Sequence, residues 1–112
     1  MEGKIYIHKN EWPLLYEETL IIGNGAAYCH LTIYPHNKDI VYLEAVSVVE
    51  EMRHKGLGNF LLGFAIPRAV ILGAQELRLS ALADSFVVEW YKKYGFRVVE
   101  TNEEFVNMSL KL

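Results

Sequence analysis

The sequence predicts an α+β fold, a mixed α/β sandwich in which helices pack against a mixed β-sheet. Three observations support this prediction. An Asn-Gly pair joins two β-rich runs, a nearly continuous apolar run at residues 40–48 indicates a strand buried on both faces, and helical and extended patterns alternate after that run. With 112 residues, of which 52% are hydrophobic, we expect a single domain over residues 1–112.

The first half of the chain predicts strands. Residues 4–8 form a short strand, and the EWPLLYEE segment after it is too short and too interrupted by Pro13 for more than a helical turn. Residues 18–22 and 26–34 flank Gly23-Asn24-Gly25, which predicts a hairpin. A second turn follows, and residues 40–48 are then predicted to form the central strand of the sheet.

A helix is predicted over residues 57–72, with Leu57, Leu61 and Phe64 along its apolar stripe. Gly73 is its expected C-terminal stop, and Pro67 inside it should bend it. A strand at residues 77–82 comes next. The strand before the helix, the helix itself and the strand after it predict a right-handed βαβ unit with parallel strands.

The last third of the chain predicts one more helix and two closing strands. Asp84 or Ser85 can cap a helix over residues 86–94, which should end at Gly95. Lys92 and Lys93 suit the negative end of that helix dipole. The closing strands are predicted at residues 97–100 and 105–110, and they complete the sheet.

Composition and charge exclude several functions. Lys plus Arg number 11 and Asp plus Glu number 14, so the net charge of −3 gives no general attraction for nucleic acid or an anionic membrane. Cys29 is the one cysteine, which excludes an internal disulfide, and the histidines lack the spacing of a metal site. The start of the sequence lacks the apolar core of a signal peptide, and we therefore expect a cytoplasmic protein.

The loop before the first helix combines two glycines with two bases, in the run Arg53-His54-Lys55-Gly56-Leu57-Gly58. The first N–H groups of a helix have no internal partners, its dipole is positive there, and glycine lets an anion approach the main chain. This pattern favours a phosphate site over a plain turn. The spacing of a Walker loop and the third glycine of a dinucleotide fingerprint are both absent.

Two segments of the sequence resemble one known family. Val46-Ser47-Val48, followed by the loop from Arg53 to Gly58, is similar to the acyl-CoA signature of the GNAT superfamily of N-acetyltransferases. Trp90-Tyr91-Lys92-Lys93-Tyr94-Gly95-Phe96 is similar to a later helix of that family, and the two segments occur in the family's order. The resemblance covers residues 18–112. It implies the GNAT fold, acetyl-CoA as co-substrate and direct transfer of the acetyl group to a primary amine.

The same resemblance implies roles for individual residues. The cofactor-binding residues that it implies on the strand and the loop are Val46, Ser47, Val48, Arg53, His54, Lys55, Gly56, Leu57, Gly58 and Asn59. Main-chain groups of the strand would hold the pantetheine arm and the thioester, and the loop would bind the pyrophosphate. Tyr91 stands where the family often has a proton donor to the departing CoA thiolate. Asp84 stands where the family commonly has an Asn that touches the cofactor, and this difference favours capping over cofactor contact for Asp84.

Transfer to an amine also needs a base. Glu44 is the one acid within the apolar run at residues 40–48, and a carboxyl in that setting should have a raised pKa. The alternative is that Glu44 faces solvent near an edge of the sheet. We therefore predict that Glu44 acts as the base, directly or through water. His30 is the rival candidate. Cys29 lies on the opposite, apolar side of the same strand as His30 and is predicted to be a core residue.

The sequence departs from the family at its beginning. GNAT members usually place two helices between the first strand and the hairpin, where only residues 10–17 are available here. The strand at residues 26–34 would then leave a polar and aromatic face less covered, formed by Tyr28, His30, Thr32 and Tyr34. We interpret that face as an acceptor groove or as a subunit contact, which would give a homodimer.

More than one function class is open at this point. The first is an N-acetyltransferase whose acceptor is a small-molecule amine, a lysine side chain or a chain terminus. The second is a non-catalytic acyl-CoA-binding module that senses the cofactor or docks on a partner, which the short N-terminal region favours. A third and weaker interpretation is an α/β domain for a different phosphate ligand. Turnover of an amine separates the first from the second, and ligand binding separates both from the third.

Overall fold

The computed structural model describes residues 5–11, 15–23, 25–50 and 56–112. Along the chain, the elements are β1 (Ile5–Glu11), β2 (Tyr16–Ile22), β3 (Ala27–Tyr34), β4 (Asn37–Val48), α1 (Leu57–Ile71), β5 (Glu76–Leu82), α2 (Val87–Lys93), β6 (Arg97–Thr101) and β7 (Phe105–Lys111). These seven strands form one sheet in the order β1-β2-β3-β4-β5-β7-β6. β4 and β5 pair in parallel and the other neighbours pair antiparallel, so the predicted mixed sheet is confirmed.

The Asn-Gly hairpin is confirmed. β2 and β3 pair antiparallel along their whole length, with Ile22 opposite Ala27 next to the turn. Gly23 and Gly25 of that turn have φ values of 60° and 89°, which glycine adopts without strain. The turn therefore needs glycine at both positions, and this requirement is what makes the hairpin visible in the sequence.

The helical turn expected at residues 11–18 is wrong where the structure describes it. Residues 16–18 belong to β2, and their backbone pairs with β1 on one side and with β3 on the other. Residues 12–14 lie outside the described part of the chain. Four residues separate the end of β1 from the start of β2. The expected shortening of the N-terminal region is confirmed.

β4 is the central strand, as predicted, although it begins at Asn37 rather than at residue 40. Its first half matches the expectation of burial, since Ile40, Val41 and Leu43 are buried. Its second half does not, because Glu44 is exposed. A strand side chain is buried only where another layer packs on the face to which it points, and no described helix packs over Glu44.

Both helices pack on the same face of the sheet. The buried side chains that point to the helices alternate along the strands, and they include Leu20, Ile22, Cys29, Leu31, Val41, Leu43, Leu77, Leu79, Ala81, Val106 and Met108. The residues between them point away from the helices. We call that opposite side the open face, because no described helix packs on it. It carries polar and aromatic side chains, among them Tyr28, His30, Thr32, Tyr34, Tyr42 and Glu44.

Helix α1 lies on the sheet through a stripe of buried residues: Leu57, Leu61, Leu62, Ala65 and Ala69. The expectation that Phe64 belongs to the buried stripe is wrong, since Phe64 is 37% exposed. Ala65 and Ala69 let the helix approach the sheet closely, so the buried side is centred on them. Apolar side chains surround α1, and for that reason its pattern could not select the buried side. None of the described helices is long and apolar enough to cross a membrane.

A buried ion pair joins α1 to β2. The Arg68 guanidinium donates from Nε to Glu18 Oε1 and from Nη2 to Glu18 Oε2, each at 2.7 Å. The Tyr16 hydroxyl also donates to Glu18, whose side chain is fully buried. Burial alone raises the pKa of the Glu18 carboxyl, but the hydrogen bonds from Arg68 and Tyr16 outweigh it, so that the pKa is lowered. The carboxylate is therefore held charged beneath the helix.

Candidate functional site

The candidate site begins where β4 and β5 separate. The two strands, in which every residue is described, pair at three positions: Ile40 with Glu76, Val41 with Leu77 and Tyr42 with Arg78. Beyond Tyr42 they part, while β5 stays paired with β7 as far as Leu82. The second half of β4 therefore turns one edge toward an opening instead of toward a strand.

A β-bulge directs this separation. Between the pairs His30–Glu44 and Tyr28–Ser47, the residues Ala45 and Val46 of β4 stand opposite the single residue Cys29 of β3. Ala45 has a φ of 54°, which is unfavourable for a residue with a Cβ. A bulge bends its strand and increases the local twist. Here it carries the end of β4 away from β5.

The bulge also sets which main-chain groups face the opening. The Val49 N–H donates to the Ala26 carbonyl on the β3 side, at 2.8 Å. Because successive residues of a strand direct their N–H and C=O groups to opposite edges, the main chain of Val48 and Val46 faces the parted side. These are two of the positions that the sequence predicted to hold a ligand through the backbone.

A cleft of about 780 Å³ fills the space between the parted strands. On β4 it is lined by Val46, which points to the helices, and by Ser47, which points to the open face. On β5 it is lined by Ala81 and Ser80, which also point to opposite faces. Since neighbouring residues on a strand point to opposite faces, a cleft lined by both passes between the strands. It connects the helix side of the sheet with the open face.

The N-terminus of α1 lies at the helix side of this cleft, which Gly56, Leu57, Gly58 and Asn59 line. Gly56 precedes the helix with a φ of 82°, none of the described side chains caps the helix, and its first turn holds no acid. The first helical hydrogen bond runs from the Phe60 N–H to the Gly56 carbonyl, so the N–H groups before Phe60 have no partner within the helix. Together with the helix dipole, they form a place where an anion is stabilised.

Helix α2 is held against this N-terminus by hydrogen bonds to one side chain. Asn59 Oδ1 accepts from Trp90 Nε1 at 2.9 Å and from the Tyr94 hydroxyl at 2.5 Å. The Trp90 ring also packs close to Gly58, since a Cβ at that position would lie 3.4 Å from the ring. The Asn59 carbonyl oxygen is therefore engaged in joining the two helices, and only its amide group is left for a ligand.

Tyr91 lies on the side of α2 that faces the cleft. It is 6% exposed, and its ring packs against Trp90 and Phe96 with centroid distances of 4.9 and 5.5 Å. Burial, with a smaller effect of the neighbouring Cys29 thiol, raises the pKa of Tyr91 to about 12. No other residue in the described part of the chain forms a hydrogen bond with its hydroxyl. Tyr91 thus presents a protonated phenol to the cleft at neutral pH.

The chain matches one family model, an acetyltransferase (GNAT) domain, over residues 5–98. This match covers most of the 112 residues and both of the sequence segments that line the cleft. The chain belongs to the GNAT acetyltransferase family. Acyl transfer is therefore the general reaction of this domain. A search of curated proteins gave no match.

Solved structures share this GNAT fold. The chain is similar to a GNAT family acetyltransferase from Elizabethkingia anophelis with acetyl-CoA bound, with a TM-score of 0.74 and 18% identity over 96% of this chain and 98% of that one. It is similar to a Bacillus subtilis acetyltransferase in complex with CoA, with a TM-score of 0.73 and 20% identity over 97% and 99%. A Bacillus cereus acetyltransferase has a TM-score of 0.76 and 23% identity over 88% and 74%. At these identities the likeness shows the fold.

Part of the acyl-CoA signature lies outside the described residues. Arg53, His54 and Lys55, which the sequence predicted at the pyrophosphate, belong to the undescribed residues 51–55. The rest of the signature lies in the cleft, where β4 and the start of α1 approach each other. The structure therefore brings together the strand and the helix N-terminus of the signature. The binding of pyrophosphate by the three basic residues stays a prediction.

Glu44 is placed differently from the expectation. It is exposed on the open face, so the structure shows the solvent-facing alternative for its carboxyl and not the apolar setting. The Tyr34 hydroxyl donates to Glu44 Oε1 at 3.2 Å. His30, the rival base, lies on the same face and shares a hydrogen bond of 2.8 Å with Thr19 Oγ1. Cys29 is fully buried, and burial raises the pKa of its thiol to about 12, as a core position requires.

Of the two predicted capping residues, Ser85 and not Asp84 forms a hydrogen bond with the start of α2. Ser85 Oγ accepts from the Val87 N–H at 3.2 Å, while Asp84 is exposed and outside the lining of the cleft. The helix occupies Val87–Lys93, one residue shorter at each end than predicted. The N-cap position itself is occupied by Phe86, so neither predicted residue is the N-cap of α2. No group of His, Cys, Asp and Glu among the described residues could hold a metal ion.

Sequence reasoning missed one wall of the cleft. The lining residues that it did not predict lie on β5 and at the start of α2, and they are Leu79, Ser80, Ala81, Leu82, Ser85, Phe86 and Val87. Phe86 and Leu82 are 79% and 60% exposed, which is unusual for such large apolar side chains. The sequence shows that these two residues are apolar, but not that they are exposed. Their place in the cleft follows only from the separation of β4 and β5.

Proposed function

We propose that this GNAT domain transfers an acetyl group from acetyl-CoA directly to a primary amine. The observation that carries the proposal is the cleft between β4 and β5, which joins an uncapped helix N-terminus on one side of the sheet to the open face on the other. A diphosphate and a thioester can bind from the helix side. An amine can then reach the same thioester from the open face without displacing the cofactor.

The cofactor half of the proposal rests on main-chain groups. The N–H groups at the start of α1 would hold the pyrophosphate, as anions are held at helix N-termini. The outward main chain of Val46 would pair with an amide of the pantetheine arm, as an added strand does. Complexes with acetyl-CoA and CoA of the similar Elizabethkingia and Bacillus subtilis proteins support this assignment.

The chemical step needs a proton acceptor for the amine and a stabiliser of the departing sulfur. Glu44 lies one residue from Ala45, which lines the cleft, and its exposed carboxylate can take the proton from the amine directly or through water. As the amine nitrogen bonds to the acyl carbon, the carbon–sulfur bond breaks and sulfur leaves as a thiolate. Tyr91 would stabilise this thiolate by donating a hydrogen bond from its phenol, and its proton can pass to the sulfur.

A turnover assay tests the proposal. The purified chain is incubated with acetyl-CoA and a panel of primary amines, and free thiol and acetylated amine are measured together. The proposal expects both products in equal amounts. If the chain binds CoA in a calorimetric titration but acetylates no amine, the transfer is contradicted and the chain is a non-catalytic acyl-CoA-binding module. A chain that binds neither CoA nor acetyl-CoA would contradict the cofactor assignment itself.

The helix N-terminus can be tested separately through Gly58. Gly58→Glu is expected to weaken acetyl-CoA binding about tenfold or more, because its carboxylate repels the pyrophosphate. The same carboxylate favours a helix N-terminus, so the fold should survive. A Cβ at this position would make only an ordinary contact of 3.4 Å with Trp90. The measurements are calorimetric affinity and melting temperature.

Gly58→Gln is the matched control for that variant, since it has the same shape without the charge. It should bind acetyl-CoA within about threefold of the parent, and equal affinities of the two variants would contradict a pyrophosphate at this position. Gly56 is unsuitable for this purpose. Its φ of 82° strains any other residue, so a loss of affinity there would not separate a blocked ligand from a distorted loop.

A further inference from the structure

The open face carries a compact group of aromatic and acidic side chains beside the cleft. Tyr34, Tyr42 and Glu44 form what we call the tyrosine–glutamate patch. The rings of Tyr34 and Tyr42 meet edge to face with centroids 5.4 Å apart, and the Tyr34 hydroxyl donates to Glu44 at 3.2 Å. Glu44 is exposed, and both tyrosines are half-buried. The patch therefore offers ring faces and a carboxylate to a ligand from solvent.

The electrostatics of the patch are negative. Burial raises the pKa of Tyr34, and the charges of Glu44 and, more weakly, Glu17 raise it further. Neither Glu17 nor Glu44 forms an ion pair with another residue in the described part of the chain. The Arg78 guanidinium lies beside the patch, since Arg78 stands opposite Tyr42 and interacts with its side chain, but its charge is paired with Glu76 at 2.9 Å. Two carboxylates without a paired cation beside two tyrosine rings favour binding of a cation.

The patch is continuous with the cleft. Tyr42 is the last residue of β4 that pairs with β5, so the opening between the strands starts beside its ring. Glu44 is followed directly by Ala45, which lines the cleft, and Ser80 lines the cleft from the open face of β5. A group bound at Glu44 therefore lies at the open-face mouth of the passage between the strands.

A polar atom beside the patch supports a ligand at this place. Thr32 pairs with Tyr42 across β3 and β4 and with Glu17 across β2 and β3, so it points to the open face between them. Thr32 is 3% exposed, and its hydroxyl has no hydrogen-bond partner among the described residues. A buried hydroxyl without a partner is costly, and a ligand N–H can remove that cost.

We infer that the tyrosine–glutamate patch binds the acceptor as a primary alkylammonium on an unbranched methylene chain. The inference rests on the proposed function and names the acceptor class and its site. The rings of Tyr34 and Tyr42 contact the cation and its first methylenes, and Glu44 accepts a hydrogen bond from it. A linear chain can enter between two strands, whereas a branched or aromatic amine would meet backbone on both sides.

Binding can be tested without turnover. Butane-1,4-diamine is titrated into the isotope-labelled chain saturated with CoA, and amide shifts are mapped by NMR. Saturable shifts centred on residues 34, 42 and 44 are expected, with little response to the neutral, equally long butane-1,4-diol. Shifts centred elsewhere, absence of saturation, or an equal response to the diol would overturn the inference. This result does not depend on whether the chain transfers an acetyl group.

Kinetics then separate the patch from the chemistry. Tyr42→Leu should raise the KM for butane-1,4-diamine about five- to tenfold, and Tyr34→Phe about threefold, while the KM for acetyl-CoA stays unchanged because the cofactor binds from the other face. Glu44→Gln should weaken diamine binding about tenfold. Glu100→Gln on β6 removes the same charge at an exposed position two strands away from β5 and should change binding less than twofold.

The source of the alkylammonium is distinguished by a second acceptor. A disordered lysine-containing peptide is compared with the free diamine, since both carry the same chain and charge. Higher kcat/KM for the peptide assigns the acceptor to protein lysines, and higher kcat/KM for the diamine assigns it to a small molecule. Either acceptor preference supports the inference, provided that Tyr42→Leu raises the KM for the preferred acceptor. Normal acceptor KM in both tyrosine variants overturns it and leaves the proposed transfer intact.

Discussion

Tyr91→Phe is expected to lower kcat about a hundredfold and to leave acetyl-CoA affinity unchanged. Its hydroxyl would be needed only when negative charge develops on sulfur, and general-acid or hydrogen-bond assistance of that kind contributes factors of about 10² or more. The ring, which packs against Trp90 and Phe96, is kept by phenylalanine. The measurements are steady-state kinetics and a calorimetric titration with CoA. A fall in affinity with unchanged kcat would show that Tyr91 only shapes the cleft.

The pH profile gives a readout that a packing role would not alter. Burial raises the pKa of Tyr91 from 10.0 to about 12, so its phenol stays protonated as the pH rises through 10. The ratio of parent kcat to Tyr91→Phe kcat should therefore stay constant up to about pH 10. A ratio that falls with a midpoint near 10 would mean that Tyr91 is solvated like a free tyrosine and that the cleft is wider than described.

Arg68→Met is expected to lower the free energy of unfolding by about 3–5 kcal/mol. The side chain of Glu18 is fully buried, and its two hydrogen bonds with Arg68 are 2.7 Å long. Removal of one partner of a buried pair leaves an uncompensated charge in the interior, which is the costly case. Urea unfolding at pH 7 measures the effect. The Glu18→Leu/Arg68→Met double variant should regain most of the loss, since no buried charge remains.

Arg78→Met is the matched control on the same sheet. This variant breaks the ion pair between Arg78 and Glu76, whose side chains are 38% and 35% exposed. It should lower the free energy of unfolding by less than about 1 kcal/mol. Similar losses in both arginine variants would contradict the burial of Glu18.

The ion pair of Glu18 with Arg68 also has a defined pH dependence. Because the pKa of Glu18 is lowered, its stabilisation is complete above about pH 4.5 and is lost as the pH falls further.

The tyrosine–glutamate patch would let this GNAT chain hold an acceptor on a face over which no described helix packs. Only four residues lie between β1 and β2. An acceptor on an open sheet must be held by its charge and by flat contacts rather than by enclosure. Tyr34, Tyr42 and Glu44, on two adjacent strands, would provide these contacts. Long, flexible amines suit such a surface better than compact ones.

The elements of the fold were predictable wherever local chemistry decides them. The hairpin follows from an Asn-Gly pair, because the turn needs positive φ at two glycines. The start of α1 follows from Gly56, and its end from Gly73, whose φ is 88°. The order of strands and helices then restricted the sheet to a mixed one with a parallel β4–β5 pair. These predictions depend on neighbours in the sequence.

The tertiary structure alone decided the contacts between distant residues. The pair of Glu18 and Arg68 joins residues 50 positions apart, and the bond between Trp90 and Asn59 joins residues 31 apart. Glu44 is exposed because it points to the open face, on which no described helix packs. A sequence pattern records which residues are apolar and where the backbone can turn. It does not record which strands remain paired, and pairing decides which side chains face a cleft, a core or solvent.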